Sequence, residues 1–299
     1  MMMPMLKSIL LMAMVLQATT PPPTFRSSVN LVRLAAVARD HKGRFVPALT
    51  AHDFEVFDDG KPRAISDFRQ DTAGLSVALL FDVSGSMQGQ LGQAREAASL
   101  VLAALDQRDE AAVFRFDTHL QEVMPFTEGL RTLPRAMSTV VPFGATSLHD
   151  AIAKAAERAA AREGRRRGVI VFTDGNDNAS RLTPAEVSGI ASSIDVPVYI
   201  IGVVSALDDP ASSTATASAE HSPLTGALAN LAAWTGGETF VVSSVVQRSI
   251  VARQIVDEMR HQYLIAIESS PEPGWHRLTL RVRNRDLTVR ARSGYIVGQ

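Results

Sequence analysis

Apolar and polar positions follow two rhythms along this chain. Short, nearly continuous apolar runs stand at 75–81, 111–116, 168–172, 196–204 and 239–242. Runs of this length predict parallel strands covered on both faces. Between them, apolar residues recur at helical spacing: Leu91, Ala94, Ala98, Val101, Leu102 and Leu105 form one stripe, and Leu148, Ile152, Ala155, Ala156 and Ala159 another. Such strand–helix alternation predicts an α/β unit with right-handed crossovers and an open, mostly parallel sheet. Leu120 to Phe126 follows the second run closely and reads as a short antiparallel edge, which makes a six-stranded sheet.

Both flanks change to a period of two. Residues 25–72 contain strand-like stretches around Val29–Leu34 and Phe54–Phe57, separated by turns at Arg39–Gly43 and Asp58-Asp59-Gly60. Residues 263–299 alternate again: Leu278, Leu280 and Val282, then a turn at Asn284-Arg285, then Leu287, Val289 and Ala291. This pattern predicts a hairpin with one buried face, and a lone hairpin needs a partner surface. We therefore expect 25–72 and 263–299 to pair as a small β-sandwich, with the α/β unit, 73–262, inserted between them. Residues 206–222, rich in Ser, Ala and Thr, read as a surface loop. At the start, Lys7 and the apolar stretch Ser8–Ala18 read as a signal peptide over 1–18. It is too short for a bilayer span of roughly 20 residues. A Pro-rich linker follows over 19–24. The expected location is therefore periplasmic or secreted, with no membrane span left after cleavage.

Composition narrows the chemistry. Apolar residues make up 46% and charged residues 20% of 299, enough for a large core. A net charge of −1 gives no reason to expect nucleic acid. The absence of cysteine excludes disulfides, thiolate metal sites and a cysteine nucleophile. Three stretches stand at predicted strand or helix ends: Asp82-Val83-Ser84-Gly85-Ser86, Gly144-Ala145-Thr146-Ser147-Leu148 and Thr173-Asp174-Gly175. In open α/β sheets, ligands bind at the carboxyl ends of the strands. The side chains there are hydroxyls and carboxylates, which suit a hard cation such as Mg²⁺, Mn²⁺ or Ca²⁺. Gly85 is expected to relieve a strained turn.

These three stretches resemble the metal-ion-dependent adhesion site of von Willebrand factor A domains: D-x-S-x-S, a distant Thr, and an Asp in a T-D-G context. Asp82, Ser84, Ser86, Thr146 and Asp174 match it. Beyond the domain, Val46–Phe68 and Ala291–Tyr295 are similar to the flanks of an exported, acidobacterial-type family of VWFA-related bacterial proteins. The resemblance implies a protein-binding module rather than an enzyme. In it Ser84 and Ser86 ligate the cation directly, Thr146 directly or through water, and Asp82 and Asp174 through waters, while an open position accepts an Asp or Glu carboxylate of a partner protein. Two alternatives stand beside this reading. One is a serine hydrolase using Ser84 or Ser86 with His149, which lacks a G-x-S-x-G elbow; the other is an accessory subunit of a larger complex. Thr146 also suits a helix cap, and Asp150 a first-turn charge. Asp177 and Asn178 fit a turn, Arg165-Arg166-Arg167 a solvated loop, and Arg281, Arg283, Arg290 and Arg292 an exposed strand face.

Overall fold

The computed structural model describes residues 31–70, 74–193, 195–204, 224 and 226–298. The predicted signal peptide and linker and the 206–222 loop lie outside these residues. Among the described residues, fourteen strands and five helices follow in chain order. The first four strands are β1 (Leu31–Asp40), β2 (Phe54–Asp58), β3 (Lys61–Arg63) and β4 (Ile65–Arg69). The α/β unit then runs β5 (Leu75–Asp82), α1 (Leu91–Ala104), β6 (Glu110–Phe116), β7 (Leu120–Glu128), α2 (Leu148–Ala160) and β8 (Arg166–Thr173). It continues through α3 (Pro184–Ser193), β9 (Val198–Val203), α4 (Ala227–Thr235), β10 (Thr239–Val242) and α5 (Val245–Arg260). The chain closes with β11 (Tyr263–Glu268), β12 (Gly274–Val282), β13 (Leu287–Arg290) and β14 (Gly294–Val297).

The central sheet has six strands in the order β10-β9-β8-β5-β6-β7. Its strands are parallel except β7, which runs antiparallel on β6. Alternate residues of β5 feed opposite faces. Val77, Leu79 and Phe81 pack in one core with α1 and α5, and Ala78 and Leu80 pack in another with α2 and α4. This two-sided burial is why β5 has no exposed position. Phe81 stacks on Phe172 of β8 at 4.9 Å between ring centres, beneath the carboxyl edge.

The flanks build two four-stranded sheets, β13-β1-β11-β4 and β14-β12-β2-β3, each mixing strands from before and after the α/β unit. Their shared core contains Leu34, Phe54, Val56, Tyr263, Ile265, Leu278 and Tyr295. The expected hairpin is not formed. Leu287 does close a turn on the Asn284 carbonyl, but β12 pairs with β2 and β14, whereas β13 pairs with β1. The chain turns a corner between the two sheets. Leu280, Val282, Val289 and Ala291 still face one core, so the alternation is satisfied by a sandwich corner as well as by a hairpin.

Two readings of arginines are also corrected. Arg165-Arg166-Arg167 is not a solvated loop. Arg166 is buried at the start of β8 and donates to the Arg260 carbonyl, while Arg165 and Arg167 donate to the carbonyls of Arg108 (2.6 Å) and Ala160 (2.8 Å). Arg292 is buried and donates to the Arg33 carbonyl, and Arg290 pairs with Glu238 and the buried Glu258. Carbonyls at strand and helix ends, together with acidic groups on the α/β unit, give these guanidiniums internal partners. Arg281 and Arg283 are exposed, as expected.

Candidate metal centre

The three oxygen-rich stretches meet at the carboxyl edge of the central sheet. Backbone hydrogen bonds lace them together. Gly85 N–H donates to the Gly144 carbonyl (3.0 Å), Phe143 N–H to that of Val83 (2.9 Å), and the amides of Asn178 and Ala179 to that of Thr146 (3.1 and 3.0 Å). Asn178 also accepts from the Thr146 N–H through Oδ1 at 2.9 Å. The Asp82 loop is thus tied to the Thr146 loop, and the Thr146 loop to the segment after Asp174.

Asp82 is the last residue of β5 and is fully buried. Its Oδ1 accepts the Ser84 N–H at 2.9 Å, which folds the chain back so that Ser84 Oγ reaches Ser86 Oγ at 3.1 Å. Ser84 is buried and Ser86 exposed, so the hydroxyl pair leads from the interior to solvent. Thr146 is buried and Asp174 half-buried, its Oδ1 accepting the Asn176 N–H at 3.1 Å. Burial pushes the Asp82 carboxyl up to about 6 despite these hydrogen bonds, and the charge of Asp174 adds to the effect. A bound cation would reverse both influences. All-oxygen donors and two neighbouring acidic groups fit a hard divalent ion.

Several expectations change here. Gly85 does not adopt a left-handed backbone. That demand falls on Gly144 (φ +89°) and Gly175 (φ +91°), and at Gly175 a Cβ would also stand 3.0 Å from Leu224. Thr146 does not cap α2; Ser147 occupies the N-cap position, without a side-chain cap bond. Asp150 does sit in the first turn of α2, but its Oδ1 also accepts the amides of Arg181 (3.1 Å) and Leu182 (2.9 Å), anchoring the loop from β8. Asp177 takes the backbone N–H of His149 (2.9 Å) and pairs with its Nδ1 (2.8 Å). Burial holds His149 below its ordinary pKa even though Asp177 and Asp150 push the other way.

Sequence reading missed two positioning residues. Thr173 Oγ1 donates to Asp82 Oδ2 at 2.7 Å and accepts the Gly175 N–H at 3.0 Å, joining β8 to β5 beneath the site. Asn178 holds Thr146 as described above. Thr173 stands in the T-D-G stretch, so a signal for it existed; Asn178 was read as a turn residue, and nothing in the spacing marked its hold on Thr146.

The model of the von Willebrand factor type A domain matches residues 77–176, the stretch that carries all five candidate residues. The chain carries a von Willebrand factor type A domain. Two solved structures agree on the fold. An aerotolerance-related membrane protein from Bacteroides fragilis is similar at a TM-score of 0.51 and 20% identity, over 62% of this chain and 98% of that one. The conserved hypothetical protein BatB from Bacteroides thetaiotaomicron is similar at 0.50 and 21%, with the same coverage of both chains. A von Willebrand factor type A structure from Catenulispora acidiphila aligns over 92% of this chain and 76% of that chain, at 0.49 and 13%. No curated protein matches the sequence. A domains are mainly protein-interaction modules and usually bind a divalent metal. No described helix is long and apolar enough to cross a membrane.

Proposed function

We propose that this protein is an exported, metal-dependent binding module whose A domain captures a carboxylate of a partner protein. The observation that carries the reading is the Ser84–Ser86 hydroxyl pair at 3.1 Å, tied through the Ser84 N–H to the buried Asp82 carboxylate where three loops are laced together. Ser84, Ser86 and Thr146 would hold Mg²⁺, Mn²⁺ or Ca²⁺, with Asp82 and Asp174 orienting waters around it. Bound there, the cation supplies a Lewis-acidic position open to an external carboxylate. Asp82 holds Ser84 in place through its N–H, Thr173 holds Asp82, and Asn178 holds Thr146.

The rim supports a protein partner. Val141 and Phe143 are 80% and 83% exposed on the loop bonded to Val83, giving apolar contacts beside a charge-selective centre. The serine hydrolase reading loses support. The hydroxyls of Ser84 and Ser86 face each other, and His149 Nδ1 is engaged by Asp177. The proposed export rests on the Lys7 and Ser8–Ala18 pattern and on the resemblance of the flanks to an exported family.

The test is a pull-down from cell-envelope extract with Mg²⁺ or with EDTA, using wild type, Ser84→Ala and Asp174→Ala. Capture that requires Mg²⁺ and is lost in both variants, with unchanged circular dichroism, supports the reading. Capture that survives EDTA and both substitutions refutes it.

A further inference from the structure

We propose that the β-sandwich holds a second cation site, formed by Asp58, Asp59 and His276, which takes a divalent transition-metal ion such as Zn²⁺ and cross-links the first and last parts of the folded chain. One ligand atom from each residue lies within 4.8 Å of the others. Asp58 ends β2, Asp59 follows in the turn to β3, and His276 lies on β12, more than 200 positions further along the chain.

Each ligand is already aimed. Asp58 is buried, and its Oδ2 is occupied: it accepts from the Tyr295 hydroxyl at 3.0 Å and from Arg63 Nη2 at 3.1 Å. Its Oδ1 is buried with no hydrogen-bond partner and stands 3.6 Å from His276 Nδ1. A buried carboxylate oxygen left without a donor is costly, which makes it an unfilled ligand position. His276 Nε2 lies 2.7 Å from the Glu272 carbonyl. That contact keeps the proton on Nε2 and turns Nδ1 toward the two carboxylates, the orientation metal-binding histidines use. Stacking on Tyr295, at 5.1 Å between ring centres, fixes the imidazole plane. Asp59 is held by the Arg277 N–H on Oδ1 (2.9 Å) and points Oδ2 at His276 Nδ1 (2.8 Å). Its left-handed backbone, φ +48°, is that of the Asp59-Gly60 turn between β2 and β3, which fixes where its side chain starts.

The imidazole nitrogen favours Zn²⁺ over Mg²⁺ and Ca²⁺. The Asp59 side chain is 49% exposed, leaving a route for the ion and for a water ligand.

The experiment is titration of the EDTA-treated, dialysed full chain with Zn²⁺ by calorimetry at slightly alkaline pH, with melting temperature measured in parallel. Four further proteins enter: Ser84→Ala, Asp58→Asn, Asp59→Asn and His276→Gln. Asp59→Asn guards against misfolding, since it keeps the acceptor for Arg277. The expected result is uptake of about one equivalent and a higher melting temperature in wild type and Ser84→Ala, with affinity about tenfold to a hundredfold weaker in the three sandwich variants. Substitution of Co²⁺ gives a visible absorption band that His276→Gln lacks. Uptake equal in all five proteins, or none in wild type, overturns the proposal and leaves an ion pair between the imidazolium and the carboxylates. Retention of the effect in Ser84→Ala separates this site from the A-domain centre, whose failure would not affect it.

Discussion

Thr173 shows how much of the candidate centre depends on residues that touch no ion. Its hydroxyl donates to the fully buried Asp82, so Thr173→Val strands a carboxylate oxygen. We expect a loss of about 1–3 kcal/mol in urea denaturation, together with weaker Mg²⁺-dependent capture. The loops bearing Asp82, Ser84, Ser86, Thr146 and Asp174 were legible in the sequence because oxygen-bearing side chains cluster there at short spacings beside apolar runs. The contact of Asn178 with Thr146 was not legible. Asn178 acts on a backbone N–H brought from 32 positions away, and no local pattern encodes that meeting. Asp40 gives a pH prediction at the same scale. The Arg44 amide, with the Lys42 amide and the Arg44 guanidinium, lowers its pKa from 3.8 to about 2. A depressed carboxylate lends stability above its unfolded value and loses it as pH falls through its folded one. Melting curves of wild type and Asp40→Asn should therefore differ at pH 5 and converge as the pH is taken down through about 2.

Among the elements, α5 has a capping box that can be tested alone. Ser244 Oγ accepts the Gln247 N–H at 3.2 Å, and Gln247 Oε1 accepts the Ser244 N–H at 2.9 Å. Ser244→Ala should cost about 1 kcal/mol in chemical denaturation. Gly237, between α4 and β10, is far less forgiving. A Cβ there would lie 2.0 Å from the Val198 carbonyl oxygen, so Gly237→Ala must displace β9 or β10 and should sharply reduce the soluble yield on expression. The strands and helices of the α/β unit were legible because burial on both faces writes continuous apolar runs between helical stripes. The corner between β12 and β13 was not. Alternation reports which face of a strand is buried and is silent on which strand lies beside it.

For the molecule as a whole, the decisive contact is Glu258 on α5. It is fully buried and accepts Arg39 of β1 at 2.7 Å, Arg290 of β13, and the Tyr199 hydroxyl of β9 at 3.3 Å. It joins the A domain to the sandwich. Glu258→Ala leaves Arg39 without its carboxylate, while Arg290 keeps Glu238, and should cost about 1–3 kcal/mol; calorimetry should then show two melting transitions where wild type shows one. Arg290 was misread as solvent-facing because its partners, Glu238 and Glu258, come from the other unit. The pairing of β4 with β11 has a mechanical consequence. The A domain leaves the sandwich after Arg69 and returns at Tyr263, and Arg69 stands opposite Leu264 in the antiparallel ladder. Both tethers therefore start from the same end of one strand pair. A pull on the A domain loads that pair from its open end, so its hydrogen bonds break one after another, like a zipper, and the Glu258 junction stands ahead of them as the latch.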